Sequence, residues 1–327
     1  MGDVLAGIHA TWEFDSDSVL IRFERGIRTP KLLSALGERR IPHEALSAVT
    51  LTPGKRGTVV LRAVPRPGAD PLTEAAAGQL KESGDPYRLV LPAESETLAE
   101  YYADELRAAL AASRLRRRGR GTDGGPAPDE PAERYLVAAP EGPRHFKAYD
   151  GKASFDGETV SFRWFWTGAS SAKWKAGDQS LPVTELEGVE WRSPELFNGY
   201  LRLLPRDGHG AAGSGVGSGA GPTAGSGAGS GAGSGAGGAD HDPAAVVFGL
   251  GYGPVHESLP FAAAVLEAVR SAATKRVAAP VLAMAPTGRR DPADVADRIR
   301  HLGELHQAGL VTDEEFTAKK TELLAEL

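Results

Sequence analysis

The chain carries one pattern of residues twice. Phe14-Asp15, Val19, Ile21 and Arg22 return as Phe155-Asp156, Val160, Phe162 and Arg163. Ile41-Pro42, Leu46 and Val49 return as Leu181-Pro182, Leu186 and Val189, and Leu61-Arg62 with Pro65-Arg66 returns as Leu201-Arg202 with Pro205-Arg206. Asp85-Pro86 ahead of an apolar run returns as Asp242-Pro243 ahead of another. The matches keep their order, and their spacing is nearly constant until a Gly/Ser/Ala-rich insertion lengthens the second copy. A repeat unit of this length is a duplicated domain, not a solenoid repeat. One fold must therefore serve twice, with the insertion where extra length is tolerated.

Within each copy the periodicity reads mostly as strands. In the first copy, which starts near Asp3, residues 10–14 and 18–23 flank Asp15-Ser16-Asp17 as a hairpin. Residues 39–42, 46–52, 58–64 and 87–91 read as further strands, with turn residues at 53–57. From 94 to 114 the period becomes helical, with Leu98, Tyr101, Tyr102, Leu106, Ala109 and Leu110 on one face. The second copy ends in a helix at 258–274, with Phe261, Val265, Leu266 and Val269 on one side. The expected fold class is mainly β with α: two tandem small β-rolls, at 3–114 and 134–274, each closed by a C-terminal helix. A linker at 115–133, rich in Arg, then Gly and Pro, is expected to be disordered. So is the tract 208–239, nearly all Gly, Ser and Ala, which has too little apolar surface to offset chain entropy. The first copy has a polar segment, 67–84, in the same slot, and it reads as a surface loop. After a second linker at 275–290, Asp291 and Pro292 open a helix with Val295, Ile299, Leu302 and Leu305 on its stripe. Gly309 ends it, and the capping box at 312–315 opens a second helix with Phe316, Leu323, Leu324 and Leu327. Residues 291–327 thus form a helical hairpin.

That last stretch, LGELHQAGLVTDEEFTAKKTELL with Ile299 before it, resembles the SHOCT domain, a short C-terminal helical hairpin of bacterial proteins. The two copies resemble the DUF4429 family, domains of unknown function often paired ahead of such a hairpin. The block Pro42, Leu46, Val49, repeated at Pro182, Leu186, Val189, is similar to bacterial pleckstrin-homology-like domains. These resemblances imply pleckstrin-homology-like rolls and a binding or scaffolding role without a catalytic residue. The copies part at one strand edge, where the first has Arg39-Arg40 and the second Gln179-Ser180.

A formal net charge of -6 gives the whole molecule no bias toward nucleic acid or anionic membranes. The absence of cysteine excludes disulfides, thiol catalysis and Cys-ligated zinc, and fits a reducing compartment. No basic-then-apolar leader opens the chain, and no apolar run approaches the roughly 20 residues that span a bilayer. A bacterial, cytoplasmic protein is expected. His301 and His306 are badly spaced to share a metal on one helix, and Gly249-Leu-Gly-Tyr-Gly253 lacks the lysine of a phosphate loop and reads as a turn. No catalytic residue, metal site or cofactor is expected.

Two groups of residues are candidate contacts. Arg114, Arg116, Arg117, Arg118 and Arg120 offset the dipole of the helix they follow, or else meet an anionic partner. In the hairpin, two helices alone cannot bury two apolar stripes. Leu302, Leu305, Phe316 and Leu323 are therefore expected to meet the hairpin of another chain or a partner's helix. Phe162, Trp164 and Trp166 alternate and should share one strand face in the core, with Trp12, Trp174 and Trp191 also core. An aromatic-lined groove is the alternative. The expected function is a non-enzymatic adaptor with a protein partner or a homo-oligomeric state, and no nucleic acid. A peripheral membrane or lipid-headgroup binder is the alternative, and a hydrolase the third.

Overall fold

In the computed structural model, which describes residues 3–118, 131–206 and 238–278, the repeated pattern becomes a repeated topology. In the first copy β1 (Asp3–Ala6), β2 (Ala10–Phe14), β3 (Ser18–Phe23) and β4 (Glu38–Pro42) form an antiparallel meander. A second, three-stranded meander follows: β5 (Leu46–Pro53), β6 (Thr58–Pro65) and β7 (Arg88–Pro92). Helix α1 (Lys31–Leu36) lies between β3 and β4, α2 (Pro71–Ala76) lies between β6 and β7, and α3 (Glu96–Arg118) closes the roll. The second copy repeats the plan. Its sheets are β8 (His145–Lys147), β9 (Gly151–Phe155), β10 (Thr159–Trp164) and β11 (Gln179–Pro182), then β12 (Leu186–Arg192), β13 (Tyr200–Pro205) and β14 (Ala245–Val247). Helix α4 (Ser171–Ala176) separates β10 from β11, and α5 (Val255–Ala278) closes the roll. Four strands, three strands and a closing helix, twice over, is the mainly β architecture the sequence pointed to.

The copies also agree in register. Val19 faces Ile41 as Val160 faces Leu181. Leu61 sits between Leu51 and Leu89 as Leu201 sits between Trp191 and Val246. Both fifth strands carry a bulge, between Leu46 and Ala48 and between Leu186 and Gly188. A bulge bends its strand and sharpens the twist, and each copy has it where the chain leaves the first sheet for the second. The closing helices then cover the sheets. α3 buries Ala99, Ala103 and Leu106 and stacks Tyr102 on Phe14, with ring centroids 4.3 Å apart. α5 buries Leu259, Val265 and Val269 and sets Phe261 edge-on to Phe146.

The segment 67–84 departs from the expected surface loop. Asp70 caps α2, accepting from the backbone N–H of Leu72 and Thr73 at 3.2 and 3.1 Å, and Pro71 occupies the first helical position. Ala69, Leu72, Ala75 and Ala76 are buried. Their apolar stripe has a destination, because α2 packs on β12 of the second roll. Beyond α2, the Gln79 side chain donates to the Trp191 carbonyl (3.0 Å) and accepts from the Ser193 N–H (2.9 Å).

Residues 131–138, expected to divide between linker and second roll, instead run along the first roll. Ala132 N–H donates to the Pro67 carbonyl, and Leu136 and Val137 N–H donate to that of Ala69. From α5, Arg270 donates to the Gly68 carbonyl (2.9 Å), pairs with Glu74 (3.3 Å) and covers the Tyr135 ring, 4.0 Å from its centroid. Most buried apolar residues of both rolls form one continuous core, and the two rolls lie within one compact unit.

Helix α3 runs to Arg118 rather than Arg114, and α5 starts at Val255 rather than Ser258. Ala239, at the end of the Gly/Ser/Ala tract, is buried with Tyr200 and Ala245. The expected hairpin at 291–327, with Leu302, Leu305, Phe316 and Leu323, lies outside the described residues, as does Arg120.

Candidate functional site

A cleft of about 780 Å³ opens between the two rolls. One wall comes from the first roll: Pro30 and Leu32 at α1, and the segment around Leu80 and Lys81 that follows α2. The opposite wall comes from the second roll. It consists of the β12–β13 turn at 194–199 and the turn at 248–256 that leads into α5. The same docking of α2 on β12 that joins the rolls therefore forms the cleft.

Both turns of the second roll are held by residues with left-handed backbone. Gly249-Leu-Gly-Tyr-Gly253 is a turn, as expected, closed by Tyr252 N–H donating to the Gly249 carbonyl (3.0 Å). Gly251 and Gly253 have φ of 80° and 63°. A Cβ at Gly253 would lie 2.2 Å from the Phe248 ring, so only glycine fits. The tip residue Leu250 is 103% exposed. In the other turn Asn198 has φ of 58°, and a Cβ at Gly199 would lie 2.6 Å from the Ser193 carbonyl. Phe197 at that tip is 85% exposed. Leu32 and Phe248 are the buried floor. The charged lining is basic in balance: Lys31 and Lys81 against one acid, Glu195, which pairs with Lys81 at 3.2 Å across the cleft.

Two buried ion pairs lie elsewhere in the rolls. Arg39, at the strand edge where the copies part, is inside. Its Nη2 donates to Asp70 (2.5 Å) and Tyr87 Oη (3.2 Å), and its Nη1 donates to the Ala138 carbonyl (2.9 Å). The Tyr87 hydroxyl donates to Asp70 at 2.9 Å. Burial pushes the Tyr87 hydroxyl far above its usual range, and Asp70 adds to the shift. Burial works against the Arg39 charge, but its Tyr87 and Asp70 neighbours outweigh that and raise it. Arg40, the next residue, is at the surface and pairs with Asp15 at 2.6 Å. In the second roll Lys173 pairs with Asp150 at 2.5 Å, and Asp150 also accepts from Val247 N–H (2.9 Å). Burial raises the Asp150 carboxyl, against the pull of Lys173. Each charge is matched inside the protein, which is what structural pairs require.

The remaining expected residues divide. Trp12, Phe162, Trp164 and Trp191 are core residues as expected; Trp191 donates to Ser258 Oγ (3.0 Å) and Trp164 to the Gly177 carbonyl (2.7 Å). Trp166 and Trp174 are not core: they are 82% and 57% exposed. β10 ends at Trp164, and the chain turns as Phe165 N–H donates to the Asp150 carbonyl, so the alternation stops before Trp166. Arg114 is half-buried and donates to the Ser47 carbonyl, so it belongs to the first roll. Arg116, Arg117 and Arg118 fall in the last turn of α3. Among the described residues, no group of three His, Asp or Glu could hold a metal, and no helix is long and apolar enough to cross a membrane.

The DUF4429 profile, a domain of unknown function, matches residues 12–107 and 153–266, more than half of the chain. The chain belongs to the DUF4429 family. Each DUF4429 match starts in the second strand of a roll and ends in its closing helix. The cleft lies at the junction of the two DUF4429 copies. The short C-terminal domain SHOCT matches residues 297–324. Comparison with curated proteins gave no match.

The cleft was not anticipated from the sequence. Its signal is local: Leu196-Phe197 and Leu250 are large apolar residues set among Pro, Asn and Gly, where turns normally carry polar side chains.

Proposed function

We propose that this DUF4429 protein is a non-enzymatic binding protein. The joined rolls are a platform for a polypeptide partner, and the hairpin at 291–327 associates with a second copy or with that partner. The observation that carries this reading is the pair of apolar tips beside the inter-roll cleft, Phe197 and Leu250. Exposed apolar surface beside a groove favours association over isolation. Turns packed closely on the roll, as at Gly199 and Gly253, lose less freedom on binding than free loops, which preserves affinity. The buried ionisable groups, by contrast, are paired with one another away from the cleft.

Sedimentation velocity with partner capture from native extract tests the reading. Leu305→Asp and Phe316→Asp should lower oligomer size or capture while circular dichroism of the rolls is unchanged. A monomeric wild type whose capture is unaltered in both variants would overturn it. Peripheral membrane binding is the second reading, favoured by exposed Trp166 and Trp174, whose rings suit a headgroup interface. Co-sedimentation with anionic liposomes at low and high salt separates the two.

A further inference from the structure

We propose that the cleft between the rolls takes an extended segment of a partner protein that combines large apolar side chains with acidic ones. This rests on the reading of the joined rolls as a binding platform and specifies the chemistry of what binds there.

Three features lead to it. The first is where the apolar surface lies. Leu32 and Phe248 offer a floor, while Phe197 and Leu250, at the tips of the turns that line the cleft, stand as lips almost wholly in water. A small ligand is normally enclosed by its pocket and would leave both lips wet. Only a chain longer than the cleft covers floor and lips together. The second is charge. In a chain of net charge -6, the charged side chains that line the cleft are Lys31 and Lys81 against Glu195 alone. Glu195 is already matched by Lys81, so Lys31 is left to face the ligand's acid. Rim charges of this kind select the partner and its register. The third is fixed geometry. Gly253 and Gly199 leave no room for a side chain against Phe248 and the Ser193 carbonyl, so the turns that present Leu250 and Phe197 are packed closely on the second roll before the partner arrives. Large apolar anchors on a preformed surface are what concentrate binding energy in an interface.

The test uses the full chain as bait for random short peptides displayed on phage, with enriched peptides then made with a fluorescein label for anisotropy titration. Enriched peptides should pair Leu, Phe or Trp with Asp or Glu. Their affinity should fall by about tenfold or more in Phe197→Ser, in Leu250→Ser and in Lys31→Glu. Replacing the peptide's acids with Lys should weaken binding to wild type and restore it to Lys31→Glu. These side chains are exposed, so the variants should melt with wild type; a variant that does not is replaced by Phe197→Asn or Leu250→Asn. Absence of enrichment, enrichment of peptides without acids, or equal affinity for all variants would overturn the proposal. So would loss of wild-type self-association in Phe197→Ser, which would assign the cleft to a second copy. If the cleft variants change nothing while Leu305→Asp and Phe316→Asp lower partner capture, this inference falls and the binding reading stands.

Discussion

The first roll buries Arg39 against Asp70 and Tyr87, whereas the second buries Lys173 against Asp150. These pairs are not the same pair twice. The counterpart of Asp150 in the first roll is His9, since Glu24 N–H donates to the His9 carbonyl as Phe165 N–H does to that of Asp150, both at 2.9 Å. Lys173 is the third residue of α4, and the third residue of α1 is Leu33. Conversely, Arg39 corresponds to Gln179, and Asp70 lies in the slot where the second roll carries its Gly/Ser/Ala tract. Duplication has preserved the apolar register and let buried charge move. In the first roll the charge holds the inserted segment 67–84, and that segment joins the rolls. In the second it ties α4 to the β8–β9 turn and β14 inside one roll.

Among point substitutions, the largest effect should come from Asp70. Asp70→Ala strands a buried Arg39, removes the acceptor of Tyr87 and uncaps α2. Breaking a buried pair costs about 3–5 kcal/mol, and losing a cap adds about 1 kcal/mol. Urea unfolding checks this, and a loss below about 1 kcal/mol would break the contrast between the rolls. In the second roll, Lys173→Leu or Asp150→His alone should cost about 3 kcal/mol by the same mechanism. The double variant installs the first roll's own residues and should recover most of that loss. A double variant as unstable as the sum of the singles would show that the rolls do not share this environment.

Tyr87 gives a pH handle that the second roll lacks, because Ala244 takes its place beside β13. Its pKa is raised in the folded protein above the ordinary value of 10.0. Its contribution is therefore complete below pH 10 and lost as pH rises beyond it, at about 1.4 kcal/mol per pH unit. The stability gap between wild type and Tyr87→Phe should be constant below that point and shrink above it, with the variant less pH-sensitive. The smallest effect belongs to the tract. Shortening residues 209–236 to a few should shift stability by about 1 kcal/mol or less, since loop length enters as a logarithm. Removing 67–84 from the same slot of the first roll should prevent folding.

Much of the fold was legible because it rests on local signals that occur twice. Apolar alternation marked the strands around Val19 and Val160, and the change of period at Leu98 marked the closing helix. Asp70-Pro71 with Glu74 is the same helix-opening signature read at Asp291-Pro292, so α2 was open to detection. Its partners were not. Arg39 and Trp191 reach the 67–84 segment only after the chain has folded, and no spacing rule encodes that contact. Trp166 misled because the alternation with Trp164 runs on past the end of β10. Phe197 and Leu250 belong to different turns, and only the docking of the rolls places them on one cleft.

Calorimetric unfolding tests most directly whether the two DUF4429 copies form one body. The shared core and the 67–84 joint call for a single cooperative transition of both rolls, with equal calorimetric and van't Hoff enthalpies. Gln79→Ala combined with Arg270→Ala should separate that transition into two. Two independent roll transitions in the wild type would contradict the account.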